Sequence, residues 1–187
     1  AGQYGMLSSY FRGETGEELA VGMKVLLHVT VTYHELYGLS LRIVDIDPLY
    51  TLGDLARQRM QTIAQLREDG VFDLNRELGI PEVPQRIAVI SSPQAAGYQD
   101  FMKELGASPY RFDVTLFGAV MQGHGAETSI IGALDAVADR AEEFDAAVII
   151  RGGGSQSDLS FLNSYLLSFH IAQFPLPVIA GLGHDKD

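Results

Sequence analysis

The C-terminal half of the chain alternates between short apolar runs and longer segments with helical spacing. The short runs are rich in β-branched residues and predict strands at Arg86–Ile90, Phe112–Leu116, Ala146–Ile150 and Val178–Ala180. The segments between them predict helices at Ala95–Leu105, Ala126–Glu142 and Leu159–Gln173. Strands and helices that alternate in this way are typical of a parallel sheet with helices on both of its faces. We therefore predict an α/β fold with a parallel sheet of about four strands.

The first fifty residues show the two-residue alternation of strands instead. Strands are predicted at Lys24–Tyr33 and Leu39–Asp45, with Tyr37 and Gly38 between them as a hairpin connection, and a possible third strand lies near Met6–Phe11. Two or three strands cannot cover a hydrophobic core by themselves. We expect this segment to be part of a small β barrel whose start is missing.

The hydrophobic period becomes helical from Thr51 onward. Thr51 is placed as the N-cap of a helix, Gly70 is placed as its stop, and prolines at 81 and 84 mark a loop before the first strand of the sheet. This gives a β segment, a helical linker and an α/β domain. The predicted parts are residues 1–50, 51–84 and 85–187.

The composition excludes several classes of protein. Hydrophobic residues make up 47% of the chain, but the apolar runs are only long enough for strands, so we expect no membrane span and no signal peptide. The chain has no cysteine, which excludes disulfides, thiolate catalysis and zinc held by thiolates. A cytoplasmic location is compatible with this composition.

The net charge of −11 argues against a surface that binds nucleic acid through a general basic excess. The acidity is even, because residues 1–83 carry 7 basic and 12 acidic groups and residues 84–187 carry 6 and 12. Any contact with a polyanion must therefore be local, or must involve chain or subunits that are not present here.

Polar residues follow each predicted strand of the sheet, and the exits of parallel strands share one edge. The exits are Ser91-Ser92-Pro93, the loop through Gln122-Gly123, Arg151 with Gly152, Gly153, Gly154 and Ser155, and Gly183-His184. Glycine amides can approach an anion closely, the next helix begins near Ser157-Asp158, and a guanidinium pairs well with phosphate. We predict a phosphate site at this loop. The alternatives are a flexible turn for the glycines and a surface or structural salt bridge for Arg151.

Three further residues are candidates for catalysis at the same edge. His184 follows a strand and can act as an acid, a base or a nucleophile, and Asp187, three residues later, can orient its ring. Asp100 lies early in the helix after the first strand of the sheet, where it either holds His184 or Arg151 or only favours the helix dipole. His184 and Asp187 give the only hint of a metal, so we expect no required metal ion.

Several motifs, taken in order, resemble the large-subunit family of exodeoxyribonuclease VII. They are GDLARQRMQTIAQL at 53–66, SSPQAAGYQD at 91–100, FGAVMQG at 117–123, RGGGS at 151–155 and PVIAGLGH at 177–184 followed by Asp187. The resemblance implies that the β segment is the end of an OB-fold. It also implies that Asp100, Arg151, His184 and Asp187 are the catalytic residues, since all four have the identity that the family uses.

The resemblance further implies an exonuclease that hydrolyses single-stranded DNA from both ends into short oligonucleotides, without a strictly required cofactor. The expected partners are single-stranded DNA and a small subunit, the latter bound through a C-terminal helical region absent from this chain, and no membrane is involved. The residues themselves leave two points open. His184 is either a general base or a nucleophile, and the fold could instead be a non-catalytic domain that binds a nucleotide or another phosphorylated ligand.

Overall fold

The computed structural model describes residues 2–15, 18–19, 21, 23–123, 125–151 and 161–182. They form two compact units that divide between Met60 and Gln61. The N-terminal unit contains helix α1 (Gly2–Thr15), strands β1 (Leu26–His34) and β2 (Gly38–Asp47), and the start of helix α2 (Pro48–Glu68). The C-terminal unit holds the end of α2 and the following elements. They are α3 (Leu74–Glu77), β3 (Arg86–Ser91), α4 (Ala96–Ala107), β4 (Asp113–Gly118), α5 (Ala126–Ala138), β5 (Ala146–Arg151), α6 (Tyr165–Ala172) and β6 (Val178–Leu182).

The predicted hairpin of the N-terminal unit is confirmed, and the possible third strand is wrong. Strands β1 and β2 pair antiparallel from Leu26 opposite Asp47 to His34 opposite Gly38, which has the positive φ of 71° that favours glycine. Residues 6–11 belong to α1 instead of a strand. Leu7 and Phe11 are less exposed than Met6 and Tyr10, and this spacing of four residues is that of a helix face.

Helix α2 begins four residues earlier than predicted. Asp47 caps it, because its Oδ1 accepts hydrogen bonds from the backbone N–H groups of Leu49 (3.0 Å) and Tyr50 (3.3 Å), and Pro48 occupies the first helical position. Thr51 is therefore not the N-cap. It lies in the first turn of the helix, where its side chain is buried and its hydroxyl donates a hydrogen bond to the backbone carbonyl of Lys24 at 3.1 Å.

The predicted parallel sheet with helices on both faces is confirmed. Its four strands lie in the order β4-β3-β5-β6, and every neighbouring pair is parallel. Alternate residues of the two central strands face opposite layers. One face carries Ile87, Val89, Val148 and Ile150, which pack against side chains of α4. The other carries Ala88, Ile90, Ala147 and Ile149, which pack against α5 and α6.

Helices α5 and α6, which pack on this second face of the sheet, are shorter than predicted. Helix α5 ends at Ala138 and is followed by a separate 3₁₀ turn at Ala141–Glu143, where the prediction had one helix to Glu142. Helix α6 begins at Tyr165, because the Oγ of Ser164 caps it by accepting from the N–H of Leu167 at 3.4 Å. The predicted start at Leu159 and the Ser157-Asp158 helix entry lie outside the described residues.

Two side chains hold the amino end of the sheet and the entry to β6. Asp145, just before β5, accepts from the backbone N–H groups of Gln85 (3.0 Å) and Arg86 (2.9 Å) and from the Arg86 guanidinium (2.5 Å). The Arg86 side chain is the main cause of a lowered pKa at Asp145. Asn75 in α3 binds the backbone of residues 174–178 through three hydrogen bonds. The hydrogen bonds of Asp145 and Asn75 therefore lie at the amino end of the sheet and do not occupy its carboxyl edge.

Candidate active site at the carboxyl edge of the sheet

The four strands of the sheet end at one edge, as the sequence predicts. The last residues of β4, β3, β5 and β6 are Gly118, Ser91, Arg151 and Leu182. Because all neighbouring strands are parallel, these carboxyl ends lie side by side.

The strand order places a switch point of the topology between β3 and β5. From β3 the chain runs to the neighbour on one side, β4, and it then crosses to β5 on the other side of β3. The connections from β3 and from β5 therefore lead to strands on opposite sides of the β3/β5 pair. In open α/β sheets the crevice that this creates outside the carboxyl ends of the strands is where ligands bind. Ser91 and Arg151 end the two strands that flank the crevice.

Arg151 is buried at this crevice, with 5% of its surface exposed. It follows Ile149 by two residues and so belongs to the strand face that packs against α5 and α6. Burial rules out an exposed surface salt bridge as the role of Arg151 and leaves a structural one open. A buried guanidinium stays charged, so the crevice holds a fixed positive charge that complements an anion.

The two glycine turns start at neighbouring points of the edge. Arg151 and Leu182 are register partners in the β5/β6 ladder, and adjacent strands lie about 4.8 Å apart. The described ends of β5 and β6, which directly precede Gly152 and Gly183 in the sequence, therefore lie next to each other. The phosphate-binding candidates Gly152, Gly153, Gly154 and Ser155 and the catalytic candidates His184 and Asp187 lie outside the described residues, as does His124.

Asp100 is exposed in the second turn of α4. It lies four residues from the helix start at Ala96, which is about 6 Å along the axis from the carboxyl edge of the sheet. Helix α4 packs on the face of Val89 and Ile150, and the strand alternation assigns Arg151 to the opposite face. The described structure does not bring Asp100 together with Arg151, so a shared role of the two stays a prediction.

Ser91 is a residue of this edge to which the sequence pattern assigns no role. It is fully buried, and its Oγ donates a 2.7 Å hydrogen bond to the backbone carbonyl of Ile150, the residue before Arg151. A serine at the end of an apolar strand is the available signal in the sequence. That signal does not separate a buried hydroxyl from one that caps the next turn.

The first turns of α5 and α6 are joined at the same side of the sheet. The Oγ of Ser164, which caps α6, donates to Oε1 of Glu127 in the first turn of α5 at 2.6 Å. In an α/β unit the helix that follows a strand begins at the carboxyl edge of that strand, so both helices direct the positive ends of their dipoles to this edge. The edge thus combines a buried arginine with two helix N-termini, which is favourable for an anion.

A separate cavity of about 590 Å³ lies within the N-terminal unit. Its lining includes Glu14, Asp45 and Asp47 together with Tyr10 and His28. Three carboxylates repel a phosphate backbone, so this cavity does not fit a polyanion. Over the described ranges, no group of three or more His, Asp or Glu side chains could hold a metal ion, and no helix is long and apolar enough to cross a membrane.

Comparison with known proteins finds a family and several relatives to which this chain is similar. Residues 71–187 match the family described as "Exonuclease VII, large subunit". The chain is 40% identical to the exodeoxyribonuclease 7 large subunit of Deinococcus radiodurans over 97% of this chain and 45% of that protein. The proteins of the same name from Ruthia magnifica subsp. Calyptogena magnifica and Shouchella clausii are 36% and 34% identical, each over 89% of this chain. This chain covers 35% and 36% of those two proteins, so it spans less than half of each relative.

Proposed function

The chain belongs to the exonuclease VII large-subunit family, and on this basis we propose that the complete protein hydrolyses phosphodiester bonds of single-stranded DNA. In this proposal it works from both ends and releases short oligonucleotides. The observation that carries the proposal is the position of Arg151. Its guanidinium is buried at the switch point of the sheet, and its strand neighbour β6 leads directly to the loop of His184.

The proposed chemistry assigns one role to each group at the carboxyl edge. Arg151 and the amides of Gly152–Gly154 stabilise the negative charge that develops on the phosphoryl oxygens. One such donor contributes about 3 to 4 kcal/mol to transition-state stabilisation. His184 either takes a proton from the attacking water, which displaces the sugar oxygen as the P–O bond breaks, or attacks phosphorus itself, which displaces the sugar oxygen and leaves a phosphohistidine that water then hydrolyses. Asp187 or Asp100 fixes the tautomer of its ring. No step of this scheme requires a metal ion.

The proposed partners are single-stranded DNA and a small subunit. The relatives are named as large subunits, and we propose that this chain also acts with a small one. The N-terminal hairpin is proposed to be part of an OB-fold. One face of the hairpin supports this, because the paired residues Val31 and Leu41, and Tyr33 and Leu39, are all 60% or more exposed. Apolar strand faces of this size are normally covered by further strands.

The proposal is tested on the complete large subunit, purified with its small subunit. Labelled single-stranded DNA is incubated with chelator present, and chain shortening is measured for the wild type and for Arg151→Ala. We expect shortened products from the wild type and a loss in kcat of about a hundredfold or more from the variant, as the loss of 3 to 4 kcal/mol of stabilisation requires.

Arg111→Ala is the matched control for this test. Arg111 is an exposed arginine just before β4, at the opposite edge of the sheet, and its removal is expected to change kcat by less than about twofold. Full activity of Arg151→Ala contradicts the assignment of Arg151. Saturable mononucleotide binding with no DNA cleavage under any ion condition instead supports the binding domain that the sequence leaves open.

A further inference from the structure

Ser91 connects three strand ends at the carboxyl edge of the sheet. Its backbone carbonyl accepts a hydrogen bond from the N–H of Ala119, just after β4, at 2.9 Å. Its Oγ donates to the carbonyl of Ile150 in β5 at 2.7 Å. Ser91 itself ends β3, and it is fully buried. The residue is therefore fixed from two sides and has no freedom to turn toward solvent.

The Oγ bond extends the connection between β3 and β5 by one position. The pairs of this ladder run from Ile87 opposite Ala146 to Ile90 opposite Ile149. Beyond the last pair, at the point where the crevice opens, the side chain of Ser91 reaches the next carbonyl of β5. The end of β5 is thus held against β3 by a hydroxyl group at the position just beyond the last pair of the ladder.

The carbonyl that Ser91 holds belongs to the peptide unit of Arg151. The carbonyl of Ile150 and the N–H of Arg151 lie in one planar peptide group. A hydrogen bond that fixes the orientation of this plane also fixes the direction in which the Arg151 side chain leaves the backbone. Because Ser91 is buried, water cannot replace its hydroxyl without a rearrangement, and the carbonyl of Ile150 would lose this partner.

We propose that Ser91 is a positioning residue for the reaction, and that its hydroxyl orients Arg151 toward the phosphate through the Ile150–Arg151 peptide. This rests on the proposed role of Arg151. Ser91 touches neither the substrate nor the reacting atoms in this scheme. A displacement of about 1 Å at a catalytic group can cost about a hundredfold in rate, so even a small rotation of this peptide has a measurable effect.

The test uses the complete large subunit with its small subunit and separates kcat from KM on single-stranded DNA. We expect Ser91→Ala to lower kcat by about tenfold to a hundredfold, with KM within about twofold of the wild type. Ser91→Thr keeps the hydroxyl and suits a strand, so it is expected to restore kcat to within about threefold. Asp145→Asn, just before the opposite end of β5 from Arg151, is the structural control and is expected to leave kcat within about twofold of the wild type below its unfolding temperature.

A second comparison isolates the path through Arg151. In an Arg151→Ala background, which has no cation left to orient, Ser91→Ala is expected to lower the residual kcat by less than about twofold, since the residue acts only through the guanidinium. If Ser91→Ala does not fold, Ser91→Cys takes its place, because a thiol preserves packing but is a weak donor. Its kcat is expected to fall at least about fivefold below that of Ser91→Thr.

The outcomes distinguish this proposal from the one on which it rests. Wild-type kcat in Ser91→Ala, or equal kcat in the cysteine and threonine variants, overturns the role of Ser91 while Arg151→Ala remains inactive. A full tenfold loss of the residual kcat on Ser91→Ala in the Arg151→Ala background overturns it as well, because the effect then does not pass through Arg151. Full activity of Arg151→Ala overturns the proposed function itself, whatever the Ser91 variants do.

Discussion

Asn75 offers the most direct test of how the C-terminal unit is held together. Its Nδ2 donates to the carbonyls of Phe174 (3.2 Å) and Leu176 (2.8 Å), and its Oδ1 accepts from the N–H of Val178 (3.0 Å). Positions 175 and 177 of the same segment are prolines, which have no N–H to donate. The entry to β6 therefore depends on one amide side chain, about 100 residues away in the sequence, for three of its backbone contacts.

The expected loss of stability in Asn75→Ala follows from these three hydrogen bonds. Each is worth about 0.5 to 1.5 kcal/mol net, so Asn75→Ala is expected to lower the free energy of unfolding by about 3 kcal/mol. With a urea m-value of about 2 kcal/mol/M, this moves the unfolding midpoint by about 1.5 M. The measurement is urea unfolding of the 187-residue chain at pH 7, followed by circular dichroism. Gln99→Ala, an exposed amide in α4, is the control and is expected to stay within about 0.5 kcal/mol of the wild type.

The isosteric variant Asn75→Asp tests the hydrogen-bond assignment separately. It keeps an acceptor for Val178 but turns a carboxylate toward two carbonyl oxygens, which raises the pKa of the new carboxyl group. A raised folded-state pKa means that the loss of stability is largest when the group is ionised and shrinks as the pH falls through that pKa. We expect Asn75→Asp to recover toward the wild type between pH 7 and pH 4. A midpoint that is unchanged in Asn75→Ala, or a pH-independent deficit in Asn75→Asp, refutes the reasoning.

Two further predictions concern charged contacts with shifted pKa values. The Arg86 side chain first and the Arg86 backbone N–H second lower the pKa of Asp145. This contact therefore stabilises the fold above the ordinary aspartate pKa near 4, and the stabilisation is lost as the pH falls through the lowered value. Asp145→Asn is therefore expected to lower the urea midpoint at pH 7 and to differ less from the wild type at pH 3; an equal difference at both values contradicts this. The phenol of Tyr165 donates to Asp69 at 2.6 Å, which raises its pKa, so the bond stabilises the fold below the ordinary tyrosine pKa near 10 and is lost at higher pH. In an absorbance titration, Tyr165→Phe is expected to remove a tyrosine that ionises above pH 10, and the loss of a tyrosine that ionises at the ordinary pKa contradicts the contact.

The strands of the sheet could be predicted from the sequence because buried strands are short runs of apolar residues, which are visible in the local composition. The strand predicted at Ala146–Ile150 is observed at Ala146–Arg151, and that predicted at Arg86–Ile90 is observed at Arg86–Ser91. Apolar runs that are buried on both faces have few other stable arrangements. The segment 6–11 is different, since it is short and its four-residue spacing of Leu7 and Phe11 competes with an equally short strand pattern.

The sequence predicts a chemistry for the candidate site, which stays a prediction, but it does not predict the geometry. An arginine before three glycines at the end of a strand indicates an anion site from the residues alone, and the structure places that arginine at the switch point. The strand order that creates the switch point depends on contacts between distant segments, which no local pattern encodes. The same holds for Ser91, whose bond to Ile150 spans 59 residues, and for Asn75, whose bonds to the segment before β6 span 99 to 103 residues.

Strand β5 connects these findings, because it is anchored at both ends by side chains from β3. Asp145 precedes it and is bound by the guanidinium of Arg86, the first residue of β3, while the carbonyl of Ile150 near its end is bound by Ser91, the last residue of β3. Six residues of strand span about 20 Å, and the four between the anchors pair with β3 or β6. A strand fixed in this way has little freedom to shift along its neighbour. In the proposed function, the guanidinium at its end is then already in position before a phosphate binds, which is the condition under which a buried charge contributes most to catalysis.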